Sequence, residues 1–413
     1  MNPLPLFAHR MNHWLLLLLA FCLPLSTSAM TVLVLLIMVV WLVEGNYKQK
    51  IDEILSCPIS VALLVFLAVM VLGVLWSESI GAGLEGIKHR WKILVLPLFL
   101  GAVRLQHRWA YLNAFIGGVL LAMVLVDLSY FGVLKQIGLT AHGYRYHRII
   151  NHMVVTPMMA LAIYLLFHQF LWGMHEGWRK WGILVLGILM VANIFLMRGR
   201  SGQIAFILLM ATLVIQYYQK NIIRALLIIC TVLPLLFMAA YQFSPVFQQR
   251  LLQVQQNITT LESGRETSVG LRLHYWLTSW RMIRQSPWLG VGTGDFAEEY
   301  EKINQQYSPA LSTTDNPHNQ YIFVTAQLGV VGLLALLGLF GVYFRETFRI
   351  NDGWQRIRFA VPLFFMTIML SESYLDISGT GFLFSLLSAI LFKQGGTDPG
   401  AVVMDGKRGL DAI

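Results

Sequence analysis

Apolar runs recur along almost the whole chain, and only one polar stretch of any length, about residues 243–317, interrupts them. A helix needs about 17–25 mostly apolar residues to cross a bilayer. That constraint restricts the chain to bundles of spanning helices before any motif is read. Length alone, 413 residues, would suggest two or three soluble domains, but 57% hydrophobic and 12% charged residues with a mean hydropathy of +0.64 override it. The expected fold is all-α and polytopic, with about twelve spans at 13–28, 29–43, 58–76, 91–105, 109–134, 149–171, 181–198, 202–218, 222–242, 319–343, 357–374 and 379–393. Nine spans fall in 1–242, an external loop with amphipathic helices in 243–317, and three spans in 318–393. Residues 394–413, with their GGTDPG stretch, read as a disordered cytoplasmic tail.

Residues 11–30 resemble a signal peptide, but a second apolar run, 31–43, follows at once, so the pair is read as two uncleaved spans. Cys22, Cys57 and Cys230 lie in or beside apolar segments and specify neither a disulfide framework nor a metal cage. A net charge of +9 could suggest nucleic acid. In a membrane chain it is read instead as positive-inside loops plus an anion site, with no nucleic-acid partner. Lys and Arg favour one set of short loops roughly two to one, which puts the N-terminus in the cytoplasm and the 243–317 loop outside.

That orientation leaves Lys88, Arg90, Arg145, Arg148, Arg198 and Arg200 on the outer side, where topology gives them no reason to be. They are either headgroup anchors or an anion site, for which the planar guanidinium fork is suited. His142, His147 and His152 flank Arg145 and Arg148, and their spacing does not align a helical metal pair. Asp127 is an intramembrane carboxylate, either functional or paired with a buried polar group. In the long loop, 246–261 and 268–285 have helical periodicity. Leu273, Trp276, Leu277 and Trp280 make one stripe, and a glycine-punctuated turn, PWLGVGTGDF, follows. These helices are expected to lie along the membrane and cap a cleft.

The string HNQYIFVTAQLGVVGLLALLGLFGVYF opens at His318. It puts an imidazole at a membrane surface, on the first turn of a span. At 100° per residue, Ile322, Thr325, Gly329 and Gly332 lie within about 40° of His318. That small-residue face lets another backbone approach closely, and the imidazole is expected to face a protein cleft. A helix N-terminus and nearby arginines are expected to keep the ring neutral, with an acceptor nitrogen available.

Three motifs together resemble the O-antigen ligase and polymerase superfamily: Arg200-Ser-Gly-Gln-Ile204, like the family's R-x3-L; Arg272-x3-Trp276 followed by PWLGVGTGDF; and His318-Asn319-x9-Gly329-x2-Gly332, like H-(N/S/Q)-x9-G-x2-(G/T/Y) of the ligases. Position 204 is Ile where the family often has Leu. The resemblance spans roughly residues 185–345 in motifs and implies a helical bundle related to the GT-C glycosyltransferases. It also implies an activity: transfer of O-antigen from undecaprenyl pyrophosphate to lipid A-core on the periplasmic face of the inner membrane, among membrane lipids and without cofactor or metal.

On that resemblance His318 is the expected general base, with Asn319 orienting the ring or a sugar hydroxyl. Arg265, Arg272 and Arg200, then Arg145 and Arg148, with Lys88 and Arg90, are expected to neutralise the departing pyrophosphate. Tyr275 and His274 rank below them as lipid or sugar contacts. Outer carboxylates are sparse: Asp295, Glu298 and Glu299 after the glycine turn, and Glu78, Glu85, Glu372 and Asp376 elsewhere. Two nearby readings share the donor, an O-antigen polymerase and a protein O-oligosaccharyltransferase. A third, from another class, is a transporter or flippase for lipid-linked anions.

Overall fold

The computed structural model describes residues 3–130, 132, 133, 152–197, 199–244, 248, 252 and 268–394. Arg145, Arg148, Arg198, Arg265, His142 and His147, nearly all of the 246–261 stretch and the expected tail lie outside the described residues. In chain order the helices are α1 (Pro3–Cys22), α2 (Thr27–Glu44), α3 (Tyr47–Ser56), α4 (Pro58–Leu72), α5 (Ile80–His89), α6 (Trp91–Leu94), α7 (Leu96–Ala102), α8 (Arg108–Tyr130), α9 (His152–Trp172), α10 (Gly177–Leu196), α11 (Arg200–Tyr217), α12 (Ile222–Phe243), α13 (Ser268–Gln285), α14 (Phe296–Tyr307), α15 (Gln320–Arg349), α16 (Gln355–Ile368) and α17 (Ser378–Phe392). The described residues contain no strand, and 8 of their helices are long and apolar enough to cross a membrane. The protein is an all-α, polytopic membrane protein. The spans expected at 13–28, 91–105, 357–374 and 379–393 correspond to shorter apolar stretches: the Arg10–Cys22 part of α1, the α6–α7 pair, α16 and α17.

Two apolar clusters hold the structure. The larger joins α1 (Leu16, Leu19), α7 (Phe99), α8 (Tyr111, Phe115), α9 and α11 (Phe206) to α16 and α17 (Phe364, Phe384). The smaller joins Tyr275, Met282 and Ile283 of α13 to Phe296, Tyr300 and Ile303 of α14, and to Phe323 and Ala326 of α15. Helix α13 and the turn after it run in the same direction as the start of α15. Trp276 donates to the Pro317 carbonyl, while Val291 and Gly292, just beyond the end of α13, donate to the carbonyls of Ala326 and Gln327.

Helix α15 is broken where one continuous face was expected. Gly329 sits at φ 62°, ψ −158°, a region open only to glycine. Its carbonyl-side neighbours exchange helical hydrogen bonds for bonds to the glycine-punctuated turn: Val330 N–H donates to Pro287 and Val331 N–H to Trp288. An added Cβ at Gly329 would overlap the Trp288 carbonyl. The close approach expected of another helix is thus made by a loop, 287–293, wedged into the break. Irregular backbone within a spanning segment is tolerated where freed groups find partners in the protein, as the Val330 and Val331 N–H groups and the Ala326 and Gln327 carbonyls do here. Thr293 extends the wedge to α4, its N–H donating to Gly73 and its hydroxyl to Met70.

Candidate active site

His318 lies just outside α15, not on its first turn. Asn319 is the N-cap, its Oδ1 accepting from the N–H groups of Tyr321 and Ile322. His318 therefore adopts φ 54°, a left-handed conformation uncommon for a residue with a Cβ. The side-chain oxygen of Asn316 accepts its N–H at 2.9 Å and steadies that turn. The Asn319 amide group donates to Leu370, so both ends of that side chain are structural.

The partner of the imidazole comes from the segment between α16 and α17. His318 Nδ1 lies 2.7 Å from Glu372 Oε2; the His318 side chain is 34% exposed and that of Glu372 only 6%. Glu372 Oε1 accepts the Ser373 N–H at 3.0 Å. The Ser373 hydroxyl donates back to Asn316 Oδ1 at 2.9 Å, closing a ring of contacts between the two loops. Gln320 adds three more ties: its N–H to Met369, its Oε1 to the Leu375 N–H and its amide group to Asp376. The charge in contact with the ring is thus a carboxylate, where arginines had been expected.

Around this pair stand several residues singled out from the sequence. The Tyr275 ring, nearly buried, has its centroid 6.0 Å from that of His318. Burial pushes the Tyr374 hydroxyl up to about 12; it lies within electrostatic reach of both Glu372 and the half-buried Arg272. Tyr374 also bonds the Ser201 hydroxyl at 2.7 Å and the Met153 carbonyl at 3.0 Å. The start of α11, with half-buried Arg200, is thereby tied to the same neighbourhood. The Arg200-Ser-Gly-Gln motif acquires separate reasons: Ser201 meets Tyr374, an added Cβ at Gly202 would overlap the Thr156 backbone of α9, and Gln203 caps α10 through Ile194. Ile204 faces outward, which explains why Ile can stand where the family often has Leu.

Other expected site residues lie apart from the imidazole. Arg90 is buried, its guanidinium engaged by Asp376 (3.1 Å), the Gly86 carbonyl and Gln327, so it joins the kink of α15 to the loop carrying Glu372. Lys88 is exposed on α5. His274 is buried and bonded to Asn304 of α14. Asp127 accepts from Asn193 at 2.6 Å, the polar pairing weighed as one of its two roles. Asp295 is buried and accepts from the Ser77 hydroxyl and the N–H groups of Glu78 and Ser79. Glu298 and Glu299 share Lys302. No group of three His, Cys, Asp or Glu side chains converges as metal ligands do among the described residues.

No curated protein matches the chain. A family model described as O-antigen ligase matches residues 185–337, a stretch from α10 into α15 that contains Arg200, Arg272 and His318 but ends short of Glu372, and the match supports membership of this chain in the O-antigen ligase/polymerase superfamily.

Proposed function

We propose that this glycosyltransferase-like membrane protein is an O-antigen ligase, moving a polymerised glycan from undecaprenyl pyrophosphate to an outer sugar of lipid A-core on the periplasmic face of the inner membrane. The family match supports the O-antigen ligase/polymerase class of function. The finer reading is carried by one observation: within the matched stretch a half-exposed imidazole has Nδ1 engaged by a buried carboxylate, while Nε2 has no partner among the described residues. A ring held in that way can take a proton at Nε2.

The acceptor hydroxyl gives its proton to Nε2 as its oxygen bonds the anomeric carbon. The carbon–oxygen bond to the carrier breaks, and its electron pair leaves on the pyrophosphate oxygen. Direct attack of this kind inverts the anomeric centre. Arg272 and Arg200 are assigned to the charge that grows on the leaving group, since fixed guanidinium groups need no reorganisation as it develops. Arg265, Arg145 and Arg148 remain further candidates for that charge, whereas Arg90 already serves Asp376. Asn319 acts by fixing the backbone beside the ring.

His318→Ala should lower transfer by about 10²–10⁴-fold with the protein still inserted; wild-type turnover in that variant would remove the base. Arg272→Lys should also lose most turnover, because an ammonium cannot reproduce the bidentate fork. Deleting the protein should abolish the long-chain lipopolysaccharide ladder while lipid-linked polymer accumulates. Loss of the ladder without that polymer would mean a polymerase instead.

A further inference from the structure

The two loops that meet at His318 hold more than the imidazole. Glu372 lies 54 residues after it in sequence, between α16 and α17 and beyond the stretch that matches the family. Its carboxylate is nearly buried, and both oxygens are used in different ways: Oε2 faces His318 Nδ1 at 2.7 Å and Oε1 takes the Ser373 N–H at 3.0 Å. A buried carboxylate whose only cationic partner within ion-pair distance among the described residues is this imidazole is expensive to maintain for packing alone. The imidazole in turn is carried on a left-handed backbone turn that Asn316 steadies, and Asn316 is itself held by Ser373, the neighbour of Glu372. Backbone strain of this kind persists only where the surroundings over-determine it.

We propose that Glu372 is the positioning residue of this site, fixing His318 as the Nδ1–H tautomer so that Nε2 is the acceptor facing the substrate. The assignment rests on His318 acting as the base proposed above. A carboxylate can only accept, so the ring must carry its proton on Nδ1 when neutral. As Nε2 takes the acceptor's proton, the same carboxylate stabilises the imidazolium and returns its own hydrogen bond unbroken; Glu372 itself neither gains nor loses a proton. The Ser373 N–H contributes by holding Oε1, which leaves Oε2 as the oxygen aimed at the ring.

That arrangement makes Glu372→Gln an unusually sharp probe. The Ser373 N–H requires an acceptor, and in a glutamine only the amide oxygen can serve. The amide NH2 is then turned toward His318 Nδ1 and donates to it, which forces the proton onto Nε2. The variant keeps the shape and loses the base. Assayed with purified protein, lipid-linked donor and lipid acceptor, E372Q should lower kcat by about 10²–10⁴-fold. Its KM for donor and its thermal midpoint in detergent should stay near wild type, while E372D, which keeps an acceptor-only group, should recover most of the lost turnover.

Wild-type kcat in E372Q would overturn the assignment. So would a loss in E372Q that appears as a lowered thermal midpoint or raised donor KM with kcat kept, or an E372D variant no better than E372Q. The companion His318→Ala separates the two readings: an inactive His318→Ala beside a fully active E372Q removes Glu372 alone, whereas an active His318→Ala removes the base on which both rest.

Discussion

Helices α16 and α17 carry a charged network at each end, and the two networks differ in how much of themselves they leave open. At the end away from His318, Arg358 is 0% exposed, grips Asp352 through both terminal nitrogens and donates from Nε to Leu391 at the C-terminus of α17. Arg108 reaches the same Asp352 at 2.8 Å and the Ile390 carbonyl at 2.9 Å. Two cations thus cap the carbonyl end of α17, where a helix presents partial negative charge. At the other end, a carboxylate holds an imidazole whose second nitrogen is left without a partner among the described residues. A network in which both cations are pinned to one carboxylate and to backbone carbonyls fixes helices; one with a vacant acceptor can exchange a proton. Under the function proposed above, the comparison makes the Arg358 end the source of stability and the His318 end the source of chemistry.

The largest effect that could break this division is expected at Arg358. Truncation to alanine leaves Asp352 with one cation and the Leu391 and Ile350 carbonyls without their Arg358 donors, at a cost of about 3–5 kcal/mol for breaking a buried pair. The thermal midpoint in detergent should fall steeply, and residual activity should follow the folded fraction. The same network predicts a pH response. Burial works to raise the Asp352 carboxyl, but hydrogen bonds from Arg358 and Arg108 hold it below the usual carboxylate range. A carboxyl depressed on folding contributes stability that is present above its ordinary value and is lost as pH falls through its folded one. Wild type should therefore lose midpoint below about pH 4, and Asp352→Asn should flatten that part of the profile while lowering the plateau. A midpoint unchanged in Arg358→Ala would mean that stability does not reside at this end.

Gly329→Ala should come next. The backbone there costs a non-glycine residue about 1–3 kcal/mol before any overlap with the Trp288 carbonyl. Displacing the 287–293 wedge disturbs α15 at its break, so both midpoint and transfer should fall. Asn316→Ala should do something different. It removes the acceptor shared by the His318 N–H and the Ser373 hydroxyl, a change worth about 1 kcal/mol in hydrogen bonding. Turnover should drop by more than the midpoint would suggest, because the ring loses its fixed turn. If Asn316→Ala destabilised the protein as much as Arg358→Ala, the two ends would not be distinct in role.

The sequence carried some of this and concealed the rest for identifiable reasons. Apolar runs made the helical bundle readable because a bilayer leaves the backbone few alternatives. The His318 motif was readable as a string, but its geometry was not. Reading it as continuous helix made Gly329 a small residue on a packing face, when its positive φ breaks the helix to admit a loop. The α13 stripe faces out at Leu273, Leu277 and Trp280, and the buried side is Tyr275, Thr278, Ser279 and Met282. An apolar stripe points to a core in water but loses that meaning where the surroundings can themselves be apolar. Glu372 stood out only as one of the sparse outer carboxylates: nothing local paired it with His318, and it becomes informative only when folding brings it to an imidazole 54 positions away.

The smallest expected effect sharpens the comparison most. Lys302 has more carboxylate partners than Arg358: Glu78 at 3.0 Å, Glu298 at 3.3 Å and Glu299 at 2.6 Å. Hydrogen bonds that it donates to Glu299 and Glu78 push its ammonium well above the usual lysine range. Counting ion pairs would rank it first. Its side chain is 48% exposed, however, and water and salt screen each of these contacts. Arg358 has a single carboxylate and no access to water, so with Asp352 removed its charge is left with only backbone carbonyls. Lys302→Met should therefore leave both midpoint and turnover unchanged, at low and at high salt. A clear loss at low salt that disappears at high salt would show that the exposed acidic cluster contributes through its field, and would make burial a poorer guide than partner number at this end of the molecule.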